Sequence, residues 1–245
     1  MRESGILMHI TSLPAPYGIG TMGKDAYAFV DFLVRAGQRY WQILPLTPTG
    51  YGDSPYQSLG ACAGNHYLID LDRLADEGLL KKEEIQNIPW GSNPARVDFG
   101  AMYAHRMNVL RQAFQRFTPD GAYETFVEQN RSWLEDYALF MSLKDLHQGR
   151  SWHEWSPQYQ VLDTRTRKAA LTELADSITY YQFIQFIFFK QWHELKLYAN
   201  KKGISVIGDT PIFVSPDSAD VWANQSLFKL DSKGFPTAVA GVPPD

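Results

Sequence analysis

The sequence predicts an α/β fold, and three short apolar segments carry that prediction. Residues 5–10, 40–46 and 204–208 are apolar enough to form strands buried on both faces. Helical periodicity dominates the stretches between them, and strands that alternate with helices form parallel sheets. Each segment runs into a loop rich in glycine, proline and polar residues, which is where α/β enzymes keep their binding groups.

The first segment leads into a loop with a glycine pattern. Residues 18–23 read GIGTMG, which matches G-x-G-x-x-G ahead of a helix expected at residues 24–36. A dinucleotide site needs its first glycine directly after the strand and an acidic residue at the end of the next strand. Here seven residues separate Ile10 from Gly18, and the second strand ends without a carboxylate. We therefore reject nucleotide binding, and we expect the glycines to let the loop turn tightly into the helix.

The loop after the second segment is the stretch most suggestive of a binding site. It breaks from the strand at Pro45 and Pro48 and is dense in turn-forming residues. An ordinary turn-rich connection is the alternative interpretation. Aromatic faces beside short polar groups, however, suit a flat, hydroxylated ligand such as a sugar. The candidate side chains are Tyr51, Asp53, Ser54, Tyr56 and Gln57.

Helical periodicity fills most of the chain from about residue 72 to residue 200. It predicts helices at 101–117 and 123–146, and at least one long helix within 164–201. His153 and Glu154 lie in a loop and lack the second histidine of H-E-x-x-H. No other cluster of histidine, cysteine and carboxylate has ligand spacing, so no metal site is predicted.

The third segment runs into Asp209, and a carboxylate at the carboxyl end of a barrel strand is a strong position for a functional group. An aspartate that caps the turn before Pro211 is the structural alternative. A further hypothesis groups Asp53, Asp209 and Asp245 as a hydrolytic carboxylate set. The sequence shows no positioned acid–base pair among them, so we do not favour it.

Composition excludes several classes of protein. The net charge of −4 leaves no basic surplus for phosphates, so nucleic acid is not an expected partner. One cysteine, Cys62, rules out an intrachain disulfide framework and lacks an evident activating partner for thiol catalysis beyond His66. The N-terminus has no signal-peptide core, and the longest apolar run is too short to span a membrane. A cytoplasmic protein is therefore expected.

Six motifs, in order along the whole chain, resemble the N-terminal half of the amylomaltase family of bacterial 4-α-glucanotransferases, which is related to the α-amylases. They are HITSLPAPYGIGTMG at 9–23, YWQILPLTPTGYGDSPYQS at 40–58, AGNHYLIDL at 63–71, WLEDYALFMSLK at 133–144, IGDTPIFVSPDSADVWA at 207–223 and VAGVPPD at 239–245.

The resemblance implies a (β/α)8 TIM barrel of the α-amylase type, of which this chain holds the first strands. Residues 1–245 would form the N-terminal part of the catalytic barrel, with a mostly helical insertion over about 72–200. The implied reaction breaks an α-1,4-glucosidic bond and transfers the glucan to the 4-hydroxyl of another glucan or glucose. The expected ligands are α-1,4-glucans and maltooligosaccharides. No cofactor, metal or obligate protein partner is implied.

The family's nucleophile motif, Arg-x-Asp-His-x-Arg-Gly, does not occur in this sequence. Retaining chemistry needs that carboxylate and a second carboxyl group about 5 to 5.5 Å away, and neither can be assigned here. The sequence therefore reads as truncated, and we expect this chain alone to be inactive, with apolar sheet edges that need covering. The alternative is a glucan-binding fragment or module without catalysis.

The resemblance also carries substrate contacts to particular residues. Ser54 and Tyr56 match the active-site loop, and Asp209 matches the aspartate beside the cleavage site. Residues 241–245 match the start of a mobile loop that covers the glucan, with Asp245 as its candidate sugar contact. His9 is a candidate hydrogen-bonding pillar or a satisfied core histidine. Further candidates are Asp53 and Gln57 for substrate, and Tyr51 and Tyr103 for an outlying glucan site.

Overall fold

The structure, a computed structural model, describes residues 2–50, 52–91, 93, 96–238 and 241. It confirms the α/β class: three parallel strands form one sheet in the order β1-β2-β3. The strands are β1 (Gly5–Leu7), β2 (Tyr40–Gln42) and β3 (Ser205–Ile207).

Helices fill most of the chain between the strands. The helix expected at 123–146 is divided in two at Asn130, and the stretch 164–201 holds two helices, one of them long, on either side of Leu174. The helices are α1 (Lys24–Arg35), α2 (Leu71–Asp76), α3 (Lys82–Gln86), α4 (Phe99–Arg116), α5 (Gly121–Gln129), α6 (Arg131–Leu146), α7 (Pro157–Gln160), α8 (Thr164–Glu173), α9 (Ala175–Lys201) and α10 (Ala219–Ala223), with short 3-10 turns at 10–12, 66–68, 152–154 and 225–227. No helix of the described residues has the length and apolar character needed to cross a membrane.

The strands are shorter than the predicted segments 5–10, 40–46 and 204–208. One further ladder bond follows β1, from Met8 N to Gln42 O at 2.9 Å, before the chain turns into the 3-10 turn at 10–12. After β2, Ile43 N donates to Ile207 O at 3.0 Å, and Pro45 then has no N–H to continue the ladder. The apolar segments in the sequence therefore extend beyond the residues that form the strands.

The prediction that these strands are buried on both faces is wrong. Trp41 is fully buried, and its ring meets Phe29 of α1 at a centroid distance of 5.2 Å. On the other face Leu7 and Ile207 are 57% and 44% exposed. Residues paired side by side in a parallel sheet point to the same face. The register therefore places Ile6, Trp41 and Val206 on the covered face and Leu7, Gln42 and Ile207 on the exposed one.

The chain divides into two compact units, each assembled from three pieces. Unit 1 consists of Met1–Leu46, Gly64–Tyr123 and Phe183–Thr210, and it contains the sheet. Unit 2 consists of Thr47–Ala63, Glu124–Gln182 and Pro211–Asp245. The chain passes from unit 1 to unit 2 within the loop after β2, between Leu46 and Thr47, and within the loop after β3, between Thr210 and Pro211.

In unit 1, buried polar side chains hold the irregular segment 64–70 in place. Gln185 accepts from Gly64 N at 2.7 Å and donates to Gly64 O at 3.0 Å. Gln191 makes the same pair of bonds to Asp70, at 2.7 and 3.2 Å. Arg106 donates to the carbonyls of Tyr67 and Ile69. These side chains satisfy backbone groups that would otherwise be buried without a partner.

In unit 2, an aromatic cluster joins α6 to α10. Phe140 lies 5.3 Å from Trp155 and 5.7 Å from Trp222, measured between ring centroids. The Trp222 indole N–H donates to the carbonyl of Tyr159 at 2.8 Å, so its polar edge is satisfied inside the core. This cluster forms the interior against which the loop segments of unit 2 are arranged.

Candidate functional site

The loop at residues 47–60 is a closed structure. Thr49 and Ser58 form an antiparallel bridge, and Gly50 N donates to Gln57 O at 3.0 Å. At its tip Asp53 adopts a left-handed φ of 57°, a conformation that aspartate tolerates better than most residues. These backbone hydrogen bonds hold the loop in one conformation, and the side chains of Tyr56 and Gln57 remain exposed.

Three predicted residues of this loop line one cleft of unit 2. Ser54, Tyr56 and Gln57 face a cleft of about 810 Å³, and the Tyr56 side chain is 44% exposed there. A volume of this size falls in the range of small-molecule sites. Asp53 belongs to the same loop but is not among the lining residues.

The rest of the cleft is mostly apolar. Two segments supply it: residues 212–216, which follow β3, and the hairpin at 228–238, which the Leu230–Pro236 bridge closes. Ile212 is 90% exposed and Phe213 is 58% exposed, which is unusual for side chains of this size. The lining residues from these segments and α10 are Ile212, Phe213, Val214, Ser215, Pro216, Val221, Phe228, Lys229, Leu230, Pro236 and Ala238.

A cleft lined by both polar and apolar groups matches the surface of a pyranose ring, which has C–H faces and a hydroxyl rim. The Ser54 hydroxyl and the Gln57 amide can donate and accept hydrogen bonds, and the Tyr56 ring offers an apolar face. The sequence prediction missed the apolar lining residues. Their one local signal is the apolar run Ile212-Phe213-Val214, placed in a loop directly after a strand and Asp209.

Asp209 lies in unit 1, beyond the carboxyl end of β3, and it is exposed. Its Oδ1 accepts a hydrogen bond from Thr210 N at 2.8 Å. That bond fits the alternative of an aspartate that caps the turn. The role of Asp209 as a ligand contact stays a prediction from the resemblance.

His9 lies in unit 1 after β1 and is half-buried. Burial lowers the pKa of its imidazole to about 4, so the ring is neutral at pH 7. Its Nδ1 is buried and has no hydrogen-bond partner among the described residues. A satisfied core histidine is therefore not what the structure shows, and a hydrogen-bonding pillar stays a prediction.

Tyr103 is not among the residues that line the cleft. Tyr103 projects from α4 in unit 1, is 53% exposed, and packs edge-on against Tyr67 at 6.0 Å. Tyr51 and Asp245 lie outside the described residues, as does most of the segment 241–245. The proposed carboxylate set therefore has Asp53 in one unit, Asp209 in the other, and Asp245 without a described position.

The single thiol has no activating environment. Partial burial, and then the nearby Asp220 carboxylate, raise the pKa of Cys62, which keeps the thiol protonated at neutral pH. Among the residues that the structure describes, no group of three or more histidine, cysteine, aspartate or glutamate side chains could hold a metal ion.

The sequence profile of one protein family, described as 4-alpha-glucanotransferase, matches residues 8–245. Among curated relatives, 4-alpha-glucanotransferases of Streptococcus pneumoniae and Thermus thermophilus are each 48% identical over the whole chain, which covers 49% of each of them. A chloroplastic or amyloplastic 4-alpha-glucanotransferase of Solanum tuberosum is 39% identical and 44% covered. The chain thus spans about half the length of the curated relatives it matches.

Two solved structures resemble this chain. An amylomaltase from Streptococcus agalactiae in complex with acarbose superposes with a TM-score of 0.96 at 46% identity, over 100% of this chain and 50% of that one. An amylomaltase from Corynebacterium glutamicum gives a TM-score of 0.71 at 19% identity, over 91% of this chain and 32% of that one, which shows a shared fold.

Proposed function

Because this chain belongs to the 4-alpha-glucanotransferase family, we propose that it is the N-terminal portion of an enzyme that transfers α-1,4-glucan segments. The acceptor is the 4-hydroxyl of another glucan or of glucose, and the ligands are maltooligosaccharides. The observation that carries the proposal is the cleft of unit 2, which Ser54, Tyr56 and Gln57 line together with apolar side chains. A relative of known structure holds acarbose, a ligand of the chemistry such a cleft suits.

We also propose that the sheet is the beginning of a (β/α)8 barrel and that residues 1–245 form its N-terminal part. Three parallel strands in sequential order, with helical crossovers between them, support this architecture. In a closed barrel the face that carries Leu7, Gln42 and Ile207 would point inward, which accounts for apolar side chains on a face left exposed here.

The chemical step requires two carboxyl groups that residues 1–245 do not supply by motif. In a retaining transfer one carboxylate attacks the anomeric carbon and a second group protonates the leaving oxygen. Within this chain we assign sugar contact to Ser54, Tyr56, Gln57, Asp53, Asp209, Asp245 and His9, with His9 acting as a neutral hydrogen-bonding group. Tyr51 and Tyr103 are proposed for a separate glucan contact. A cytoplasmic location fits the free thiol of Cys62.

Maltotriose disproportionation tests this function. The full-length protein should convert maltotriose into glucose and longer glucans, and the 245-residue chain alone should form neither product. Products from the chain alone would contradict the assignment of the catalytic carboxylates to other residues. No products from the full-length protein would contradict transfer and favour the second candidate, a glucan-binding module. The cleft supports that alternative equally, because it explains binding without chemistry.

Tyr56 offers a sharper test of the cleft itself. Tyr56→Ala in the full-length protein should weaken maltooligosaccharide binding about threefold to tenfold, since an aromatic contact contributes about 0.5 to 1.5 kcal/mol. Phe32→Ala is the matched control, because Phe32 is 45% exposed and lies on α1 in unit 1. Titration calorimetry measures both, and equal affinities for Tyr56→Ala and wild type would remove Tyr56 from the site.

A further inference from the structure

One short turn, at residues 152–154, contacts both apolar segments of the cleft. His153 lies between two aromatic rings, with its centroid 3.8 Å from that of Trp152 and 4.4 Å from that of Phe235. The interplanar angles are 28° and 19°, so all three rings are stacked. Phe235 belongs to the 228–238 hairpin, which lines the cleft through Leu230 and Pro236. The stack therefore holds the hairpin at Phe235, the residue next to the lining residue Pro236.

Hydrogen bonds define how His153 is held. Its Nε2 lies 2.9 Å from the carbonyl oxygen of Gly234, and a carbonyl can only accept, so Nε2 carries the proton. Its Nδ1 lies 3.0 Å from the Ser151 hydroxyl oxygen and makes a second hydrogen bond with it. The two bonds, one at each ring nitrogen, hold the ring in a single orientation between its neighbours.

Trp152 holds the other segment. Its indole N–H donates to the carbonyl of Pro216 at 2.8 Å, and its backbone N–H donates to Asp217 Oδ1 at 3.2 Å. The second oxygen of Asp217 pairs with Lys144 of α6 at 2.6 Å. Residues 212–216, which supply Ile212 and Phe213 to the cleft, are thus tied at their end to the same turn and to α6.

We propose that Trp152 and His153 are positioning residues that hold residues 212–216 and the 228–238 hairpin in the geometry required for glucan binding. This rests on the proposed function of the cleft. Both segments are exposed and contain little regular secondary structure. Without the contacts of Trp152 and His153, the two segments would have to become ordered when the glucan binds. When only a fraction of the molecules has the binding conformation, the apparent affinity for the ligand is reduced by that fraction.

Three variants of His153 in the full-length protein separate the two kinds of contact. His153→Ala loses the stack and both hydrogen bonds, and it should weaken maltoheptaose binding about fivefold to tenfold. His153→Gln keeps a donor that reaches the Gly234 carbonyl, and His153→Phe keeps the ring stack. Each should recover part of the lost affinity. Titration calorimetry gives the dissociation constants, and hydrogen exchange at the amides of Asp231 and Thr237, both hydrogen-bonded within the hairpin, should speed up in His153→Ala.

His147→Ala is the matched control. His147 also stacks on a tryptophan, Trp155, at 5.3 Å and 16°, and makes two hydrogen bonds, to Leu143 O at 2.8 Å and from Ser156 N at 3.2 Å. Neither bond reaches a cleft segment, so the variant should lower thermal stability while affinity and hairpin exchange stay at wild-type values. Wild-type affinity in His153→Ala, or an equal loss in His147→Ala, would overturn the positioning role. Absence of maltoheptaose binding by the wild-type protein would instead contradict the proposed function.

Discussion

At the scale of single residues, the segment 64–70 depends on buried side chains that act in place of a neighbouring strand. A primary amide carries both N–H donors and a carbonyl acceptor, so Gln185 and Gln191 can each satisfy both backbone groups of one residue. Arg106 adds bonds to two carbonyls, and burial lowers its pKa to about 10, which leaves it charged at neutral pH. Each contact joins residues far apart in sequence and is invisible to local patterns.

Gln185→Leu should lower the free energy of unfolding by about 2 to 4 kcal/mol, because it leaves the N–H and C=O of Gly64 buried without partners. Denaturant titration measures the loss. Gln112→Leu on the exposed face of α4 is the control and should change stability by less than about 0.5 kcal/mol. Similar losses of unfolding free energy in the two variants would show that the backbone N–H and C=O of Gly64 form other hydrogen bonds when Gln185 is replaced.

His66 should make the fold sensitive to acid. Burial, and then the charge of Arg106, lower its pKa from 6.5 to about 3. Above pH 6.5 the ring is neutral in both the folded and the unfolded state, so it adds no pH dependence to the stability. Between pH 6.5 and 3 the unfolded chain takes up a proton at His66 that the folded chain does not. As the pH is lowered from 7 to 3, His66 should therefore reduce the free energy of unfolding by roughly 3 to 5 kcal/mol. Unfolding free energies from pH 7 to 3 should be flatter for His66→Leu than for wild type. The exposed His193→Leu should keep the wild-type slope.

At the scale of elements, tight backbone turns place the cleft segments. Gly234 sits in the hairpin with a φ of +84°, and a Cβ there would lie 2.4 Å from the Trp152 ring. Both the conformation and the close approach require glycine. The approach of Gly234 to Trp152 is set by packing between segments that are distant in the sequence.

Gly234→Ala should lower the free energy of unfolding by about 3 kcal/mol and speed amide exchange in the hairpin, since it adds a collision to the cost of left-handed alanine. Gly149→Ala is the control: its φ is +78°, but no atom lies within 4 Å of the added Cβ. That variant should cost only about 1 kcal/mol. Thermal unfolding measures the stability of both variants. Equal losses of stability would mean that the Trp152 ring moves away from the added Cβ without an energetic penalty.

At the scale of the whole molecule, neither unit is a continuous stretch of chain. Unit 2 needs Thr47–Ala63 and residues from Pro211 onward as well as its helical piece. Its aromatic core shows why: Trp222 on α10 packs against Phe140 on α6 and Trp155. The stretch 72–200 therefore contributes residues to both units, and the helical insertion over it stays a prediction.

A peptide of residues 124–182 should therefore fail to form fixed tertiary structure. It lacks Trp222 and the segments that cover the core of unit 2, although its helices retain their own periodicity. We expect helical far-UV circular dichroism without the near-UV signal of packed tryptophans. A near-UV spectrum with sharp tryptophan bands and a cooperative melt would refute this.

The sequence by itself determined the α/β class, the family resemblance, and the loop whose residues Ser54, Tyr56 and Gln57 line a cleft. These follow from local patterns, namely apolar periodicity, turn residues and contiguous motifs. Tertiary structure alone decided how much of each strand pairs, which sheet face is covered, and which apolar residues complete the cleft. It also revealed the bonds of Gln185 and Gln191, each 121 positions from its partner, and the contacts of Trp152 and His153. Such contacts depend on where distant segments meet, and no pattern within a short window of sequence encodes that.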